Sequence, residues 1–432
     1  MKSALWFIAL FGVAVLAALF AGGNQSTVTV FYAPYRLDLS LNLVLLLIAL
    51  LFVLIYMALR ASAALFALPH QARRWRLQQK ERAMHAALLD ALAQWFSGRY
   101  VRAAKSAEHA LELEAVLDGM HTADDLPPRH AQQLRVLAHL IAAESAQALR
   151  NRSSRDLHLK TIVDAGQNQA NEAVHETVEA AQLSAARWAL SDRDAPAALR
   201  WLDGLRQGAN RRTLALRMRL KATRMVHKHR DALETARLLI KHGAFSETAG
   251  HSLKRELVIA TLNDAHDAAQ LQRAWLALES HEQAIPEVVL HAAQRMLGFD
   301  DQAATVMPWL TPLWNRMVQQ PDACTPVIRE RMAQTLARAL LQLPPDAAWL
   351  TSIDRARDTY PRWVELQYLA GMVCWHHALW GKAQQMLSQA ASQLTQPDMQ
   401  RQAWRTLAQL AEQKEETERA QLCWKRAAEV GA

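Results

Sequence analysis

Histidine and cysteine are the residue types of this chain that could bind a metal ion or a haem. There are 17 histidines and three cysteines. His227 and His229 are two positions apart, so we expect their side chains to point to different faces of a helix. His376 and His377 are adjacent, and no paired metal-ligand motif occurs. The cysteines are odd in number, widely spaced and without a CxxC motif, which predicts buried thiols in a reducing compartment. They are Cys324, Cys374 and Cys423.

Catalytic motifs are absent as well. The sequence contains no GxGxxG, GxxxxGK[ST], HExxH or GxSxG, so nothing indicates a dinucleotide or phosphate loop, a zinc protease or a nucleophile elbow. We therefore expect a protein that is not an enzyme and that needs no cofactor. Tryptophan is more informative, and we expect most tryptophans to pack between helices and a few to line a groove for a partner peptide. The candidates are Trp188, Trp201, Trp363, Trp375, Trp380, Trp404 and Trp424.

Two apolar segments near the amino terminus would attach these residues to a membrane. The spans cover about residues 4–21 and 41–59, and each is long enough to cross a hydrocarbon layer of about 30 Å as a helix. A cleaved signal peptide is the alternative for the first segment, since Lys2 supplies a positive start. We favour two retained helices, because the first run exceeds a typical signal core and a second span follows almost at once.

The connection between the spans, residues 22–40, is predicted to be a polar turn with aromatic residues. Residues 22–24 are expected to end the first helix, and Pro34 keeps the preceding residue out of the helical region. Phe31, Tyr32 and Tyr35 suit the membrane–water interface. A passive linker is the alternative interpretation.

Basic residues beside the second span predict the orientation. The net charge is +8, and residues 60–82 contain six Lys or Arg against one Glu, whereas the loop contains one Arg. The positive-inside rule therefore places both termini and the body in the cytoplasm, and we expect no nucleic-acid binding. Arg73, Arg74 and Arg76 either contact anionic headgroups or only set the orientation. A helix is expected to begin at or after Pro69.

The remainder of the chain reads as a helical repeat array. Glycine and proline number 14 each, and Ala, Leu, Gln, Arg and Glu recur at helical spacing, which is an all-α signature. Residues 369–398 align with residues 406–431 at a shift of 37, and small residues coincide where two helices would touch. This pattern resembles the tetratricopeptide repeat. The positions that carry it are Gly371, Trp380, Ala383, Ala390, Ala408, Ala420 and Ala427.

A first repeat is predicted with residues 88–96 as its first helix, and weaker repeats follow. The first uses Gly98, Tyr100, Ala103 and Ala110. Further repeats are expected around Ala198 and Ala303, with degenerate helical pairs between them, and an irregular bundle is the alternative. The predicted fold is thus all-α, with a two-helix transmembrane hairpin followed by a tetratricopeptide-like α-solenoid. The expected divisions are a hairpin over 1–62, a basic juxtamembrane segment over 63–82 and a solenoid over 83–432.

The whole chain resembles the HemY family of proteobacterial inner-membrane proteins. The most specific match is the loop that leads into the second span, and the basic stretch and residues 98–111 also look like the family. The matching loop residues are Tyr32, Pro34, Tyr35, Arg36, Asp38 and Ser40. The resemblance implies an inner-membrane location and an association with a late step of haem (protoporphyrin) synthesis. A flavin-dependent oxidase that shares the name carries a GxGxxG fingerprint, which this chain lacks.

Three hypotheses for the function follow from the resemblance. The first is a scaffold that organises haem-synthesis enzymes or other inner-membrane proteins at the membrane through a repeat groove. The second is a carrier or chaperone that binds haem or a porphyrin directly. The third is a general envelope-assembly adaptor whose link to haem is indirect. The sequence does not choose between the first two, and it leaves the oligomeric state open.

Overall fold

The structure, a computed structural model, describes residues 11–16, 18–19, 22–23, 26–120, 130–167 and 172–430. Within the first predicted span, residues 11–16 and 18–19 are helical, and the rest of that span lies outside the described residues. The glycines at 22–23 are helical too, and residue 24, the last of the three residues expected to end the first helix, lies outside the described residues. One described helix has the length and composition of a membrane span, over Leu41–Ser62, and none of that segment is buried by the protein.

A two-stranded antiparallel hairpin occupies the predicted polar turn. Its strands are β1 (Thr27–Tyr32) and β2 (Tyr35–Ser40), joined at a cis Ala33–Pro34 peptide bond. The all-α prediction missed this hairpin, although the alternation of Thr and Val in β1 has the period of two that strands require. The hairpin ends at Ser40, whose hydroxyl accepts a hydrogen bond from the amide of Leu43 and so caps the next helix.

Helix α1 (Leu41–Phe96) is a single helix of 56 residues. It runs through Pro69, so the prediction that a helix begins there is wrong. A proline inside a helix loses one hydrogen bond, and the surrounding Ala, Leu, Gln and Arg residues are strong helix formers that offset this cost. The helix also continues through the expected divisions after residues 62 and 82. Its last turns are packed, because Met84, Ala87 and Leu88 are buried.

The chain divides into two compact units, residues 1–177 and 178–432. In the first unit, α1 and three further helices each pack against the next one along the chain. Alanines dominate the core between α1, α2 and α3, which allows close approach of the helices. The three helices are α2 (Tyr100–Met120), α3 (Ala131–Ala148) and α4 (Arg152–Gln167).

The second unit is helical throughout its described residues. Helix α5 (Glu172–Ser191) crosses the division between the units, and fifteen further helices and a 3₁₀ turn (Pro321–Ala323) follow. The helices are α6 (Ala195–Asp203), α7 (Gln207–Asn210), α8 (Thr213–Met225), α9 (His229–Lys241), α10 (Glu247–Asn263), α11 (Ala268–Leu276), α12 (Ser280–Gln283), α13 (Pro286–Met296), α14 (Ala303–Gln319), α15 (Pro326–Leu340), α16 (Ala347–Thr359), α17 (Val364–His376), α18 (Trp380–Gln393), α19 (Pro397–Gln413) and α20 (Thr417–Glu429).

Packing in the second unit follows the order of the chain. Each of α17 to α19 contacts the next helix, and α17 also contacts α19, the next helix but one. The same pattern of first and second neighbours joins α13, α14 and α15. Contacts between sequential neighbours are the mark of a repeat array, in which each repeat buries the apolar face of the previous one. The predicted all-α class is confirmed for the body.

Candidate functional site

Helix α9 lies at the bottom of a groove in the second unit. Two adjoining cavities, of about 470 and 450 Å³, flank it and share Glu234 as a wall; we call them together the α9 groove. The exposed side chains of α9 form a stripe at positions 230, 234 and 238, so one face of the helix is open while the other is packed. The first cavity is bounded by α10 and α11, and the second by α6 and α8.

The lining of the α9 groove is strongly charged. It holds six basic and three acidic side chains, together with amides and hydroxyls. Some of these charges are paired: Arg219 contacts Asp203 at 2.7 Å, and Arg230 contacts Glu234 at 3.7 Å. The basic members are Arg211, Arg219, Lys228, Arg230, Arg237 and Arg273. The excess of basic groups gives the groove a positive potential that favours an acidic ligand.

Arg237 is held in the groove wall by a buried carboxylate. Glu282 is fully buried and accepts two hydrogen bonds from the guanidinium of Arg237, at 3.0 and 2.5 Å, and one from the backbone amide of Glu279 at 3.0 Å. Burial by itself would raise the pKa of Glu282, but these hydrogen bonds outweigh it and hold the pKa below its ordinary value. The same hydrogen bonds raise the pKa of Arg237. This pair fixes α9 against α12.

Glu279, His281 and Glu282 bring three metal-ligand atoms within 4.8 Å of one another. The donor types would suit a cation, but their lone pairs are already engaged. Both oxygens of Glu282 accept hydrogen bonds from Arg237, and the Nζ of Lys254 lies 2.7 Å from the Nε2 of His281. Two cationic side chains therefore occupy the place that a metal ion would take. The cluster is a salt-bridge network that joins α9, α10 and α12.

The loop residues that resemble the HemY family lie on the β-hairpin. Tyr32 and Tyr35 face each other across its tip, on either side of the cis bond before Pro34. The guanidinium of Arg36 lies 3.4 Å from the carboxylate of Asp38 and 5.5 Å from the centre of the Phe31 ring. Ser40 is the cap of α1 described above.

The three basic residues beside the apolar segment lie in α1. Arg74 and Arg76 are exposed, whereas Arg73 is half-buried and donates a hydrogen bond of 2.9 Å to the carbonyl of Met120. That carbonyl is at the carboxyl end of α2, where a cation is favoured by the helix dipole. Arg73 therefore has a role within the protein that neither sequence interpretation included.

The repeat residues are brought together at helix contacts. Gly98 has a positive φ of 74° in the turn before α2, and Tyr100 is the first residue of α2. Gly371 faces Leu387 of α18, and Trp380, 46% exposed, is the first residue of α18. The alanines of this set are all buried, with at most 4% of their surface exposed: Ala103, Ala110, Ala383, Ala390, Ala408, Ala420 and Ala427.

Sequence reasoning missed two histidine contacts. The Nδ1 atoms of His139 in α3 and His158 in α4 are 3.0 Å apart, so one ring donates a hydrogen bond to the other. Burial, the neighbouring His158 and Arg135 lower the pKa of His139 to about 4. His227 has a positive φ in the turn before α9, so its ring reaches within 5.8 Å of the ring of His229. The prediction that this pair diverges on one helix is wrong.

The tryptophans do not line the α9 groove. Trp188 and Trp404 are buried and pack between helices, as expected, and the residues that line the two cavities include no tryptophan. The groove is instead lined mostly by Arg, Glu, Gln and Thr side chains from the predicted degenerate helical pairs, and in part by residues of the predicted repeat around Ala198. Its signal in the sequence is the spacing of four between Arg230, Glu234 and Leu238, which marks one face of a helix.

Comparison with known proteins bears on the amino-terminal part. Residues 26–124 match the family described as HemY protein N-terminus. These residues belong to the HemY family. The match covers the β-hairpin, α1 and α2, and so includes the loop motif and the basic stretch on which the resemblance was based. The search of curated proteins found no match.

Solved structures similar to the chain match it at low identity and with low TM-scores. Naa15/Naa10 bound to HypK-THB matches with 12% identity and a TM-score of 0.25, covering 79% of this chain and 58% of the matched one. Yeast Tom70 matches with 10% identity and a TM-score of 0.29, covering 83% of this chain and 88% of the matched one. The chain thus spans less than two thirds of the length of the first of these.

Proposed function

We propose that this protein is a non-catalytic, membrane-anchored scaffold that binds an acidic segment of a partner protein in the α9 groove. The observation that carries the proposal is the open stripe of α9, flanked by two cavities whose combined lining holds six basic and three acidic side chains, in a body of successive helical hairpins. Repeat arrays use such grooves to bind extended or helical peptides. The apolar start of α1 supplies the anchor.

Membership of the HemY family supports a role in a late step of haem synthesis at the bacterial inner membrane. In this proposal the partners are haem-synthesis enzymes or other inner-membrane proteins. Both termini and the helical body lie in the cytoplasm, because the basic residues that follow the apolar segment favour that side. In this proposal the first apolar segment, about residues 4–21, also crosses the membrane, as a retained helix.

Site-specific photocrosslinking in cells tests the groove. A photoreactive amino acid at Arg273, which lines the groove, is expected to capture a partner, whereas the same amino acid at Leu276 is not. Leu276 is the matched control because it is on the same helix, 69% exposed and outside the groove. Equal capture at both positions, or capture at Leu276 alone, would contradict the proposal.

Charge reversal tests the acidic character of the partner. The double variant Arg230→Glu and Arg273→Glu is expected to weaken capture, and raised salt is expected to weaken it in the unchanged protein, because exposed charges are screened at distances beyond about 8–10 Å. Arg362→Glu is the control, since Arg362 is exposed and lines neither cavity. A saturable spectral change on titrating the full-length protein with haem or protoporphyrin, lost in the double variant, would favour a porphyrin carrier instead.

A further inference from the structure

The β-hairpin has one polar face and one apolar face. Side chains alternate along a strand, so the cross-strand register decides which residues share a face. Three pairs form the apolar face: Val28 with Leu39, Val30 with Leu37 and Tyr32 with Tyr35. The other three pairs form the polar face: Thr27 with Ser40, Thr29 with Asp38 and Phe31 with Arg36. The one apolar member of the polar face, Phe31, lies beneath the Arg36 guanidinium.

The apolar face is open along most of its length. The exposed fractions are 45% for Val30, 56% for Leu37, 75% for Tyr32 and 71% for Tyr35. Isolated two-stranded hairpins are marginally stable in water and need a surface against their apolar face. Their outer edges carry backbone amides and carbonyls that must reach water, so a hairpin cannot lie in the hydrocarbon layer itself. The boundary between lipid and water meets both requirements.

The hairpin is fixed at that boundary by its junction with α1. The amide of Leu41 donates a hydrogen bond of 2.9 Å to the carbonyl of Ser26, just before β1, and the hydroxyl of Ser40 caps the helix. Leu41 is also the first residue of the apolar segment Leu41–Ser62. The base of the hairpin is therefore tied to the point where the apolar helix begins.

We propose that the apolar face of the β-hairpin lies on the phospholipid surface at the end of α1 and forms an interfacial membrane contact. The valine and leucine side chains enter the boundary between headgroups and acyl chains. The rings of Tyr32 and Tyr35 lie at headgroup level with their hydroxyls towards water, as aromatic residues do at membrane interfaces. The Arg36–Asp38 ion pair faces water. The proposal rests on the membrane anchor of the proposed function and extends it beyond the helix.

Adjacent residues of β2 provide the test, because they lie on opposite faces. The full-length protein in nanodiscs of phosphatidylethanolamine and phosphatidylglycerol would be labelled with an environment-sensitive fluorophore in the variants Leu37→Cys and Asp38→Cys. The native thiols Cys324, Cys374 and Cys423 are buried, and the unchanged protein gives the background of labelling. Quenching by iodide reports water, and quenching by lipids with a spin label near the glycerol reports the interface.

We expect blue-shifted emission, lipid quenching and loss of most iodide quenching at position 37, with the reverse at position 38. Val30→Cys and Thr29→Cys repeat the comparison on β1, should a β2 variant fail to fold. Equal iodide quenching on both faces would overturn the proposal. Protection of position 37 from iodide and from the lipid label would also overturn it, and would indicate a protein partner. A label at Leu51→Cys distinguishes failure of this proposal from failure of the membrane anchor. If lipids with a spin label deep in the acyl chains do not quench it, the anchor of the proposed function is itself wrong.

Discussion

At the scale of single residues, the Arg237–Glu282 pair shows how the groove keeps its shape. A charged wall residue would be mobile if it faced only water, but Arg237 forms two hydrogen bonds to a carboxylate that has no exposed surface. Removing one partner of a buried pair leaves the other charge without compensation, which typically costs about 3–5 kcal/mol. The pair thus stabilises the position of α9 more than it contributes to ligand binding.

We expect Glu282→Leu to lower the stability of the full-length protein by about 3–5 kcal/mol, because it leaves the Arg237 guanidinium half-buried without its carboxylate. The double variant Arg237→Met, Glu282→Leu should recover much of this loss, since it removes both charges. Denaturant unfolding of the second unit, followed by tryptophan fluorescence, measures the effect. The control is Arg230→Met, whose pair with Glu234 is exposed and should contribute only about 0–1 kcal/mol. A double variant as unstable as the single one would contradict this account.

The His139–His158 contact predicts a local dependence on pH. The pKa of His139 in the folded protein is about 4, against about 6.5 in an unfolded chain, so the unfolded state takes up a proton first as the pH falls. The packing of α3 on α4 should therefore be fully stable above about pH 6.5 and weaken towards pH 4. Hydrogen exchange of the α3 and α4 amides at pH 7.5 and pH 5 measures this. His139→Gln should reduce the difference in amide protection between the two pH values. An unchanged difference would assign the pH dependence to other groups.

At the scale of helices and turns, one turn recurs along the chain. The residue two positions before the helix has a positive φ at 98, 150, 193, 227, 378 and 415. In each turn, the following amide donates to a carbonyl five residues earlier, as in a Schellman motif; for example, Leu379 donates to Cys374 at 2.9 Å and Glu416 to Ala411 at 2.9 Å. Ala378 and Glu415 are 37 positions apart, the same shift that aligned the last two repeats.

This turn explains which repeats the sequence predicted. Gly98 carries the usual signal for a positive φ, so the first repeat was recognisable. At Arg193 and His227 the same conformation is imposed by packing, and the residue type gives no signal. The alanine five positions after the turn, Ala198 or Ala232, is the more reliable mark, because it is fully buried between neighbouring helices.

The sequence analysis predicted neither the β-hairpin nor the unbroken α1, because both depend on contacts between residues that are distant in the sequence. Pro34 predicts that the preceding residue is not helical, and it lies at the tip of the hairpin, but the pairing of Val30 with Leu37 depends on contacts across the turn. Pro69 has the sequence signature of a helix start, and only the packing of α1 beyond it determines that the helix continues. The groove was missed because its lining comes from six helices, α6 to α11, that are separate in the sequence.

Gly371 provides a test of the contact between α17 and α18. A Cβ atom at this position would lie 2.7 Å from the Cγ and 2.8 Å from the Cδ2 of Leu387, which is fully buried and cannot move away freely. We expect Gly371→Ala to destabilise the carboxyl-terminal hairpins by about 1–3 kcal/mol through overpacking. Thermal unfolding followed by circular dichroism measures it. Gly381→Ala is the matched control, because nothing lies within 4 Å and alanine there should be neutral or slightly stabilising.

At the scale of the whole molecule, α1 joins membrane attachment to the folded body. At about 1.5 Å per residue, its 56 residues extend for roughly 84 Å, of which the apolar segment is the first part. Its later part, from Arg73 onwards, packs against α2, and Arg73 contacts Met120 at the end of that helix. No loop separates this packed part from the apolar segment. A continuous helix fixes the distance between the apolar segment and the first packed hairpin, which a flexible linker would not do.

The proposed scaffold therefore requires two parts together, the anchor and the groove. Anchoring confines partners to a thin layer and raises their effective concentration without any new contact. A variant without residues 1–69 retains the Arg73 contact and the rest of the body, so it should still bind the captured partner in a pull-down. It should nevertheless fail to support haem synthesis in a deletion strain, measured as porphyrin accumulation.

An unrelated two-helix anchor of the same orientation should restore much of the activity. Full rescue by the untethered body at native abundance would show that the anchor is incidental and would favour the porphyrin carrier. Failure of the foreign anchor, with normal protein level and orientation, would place a specific contact in the native apolar segment and its β-hairpin.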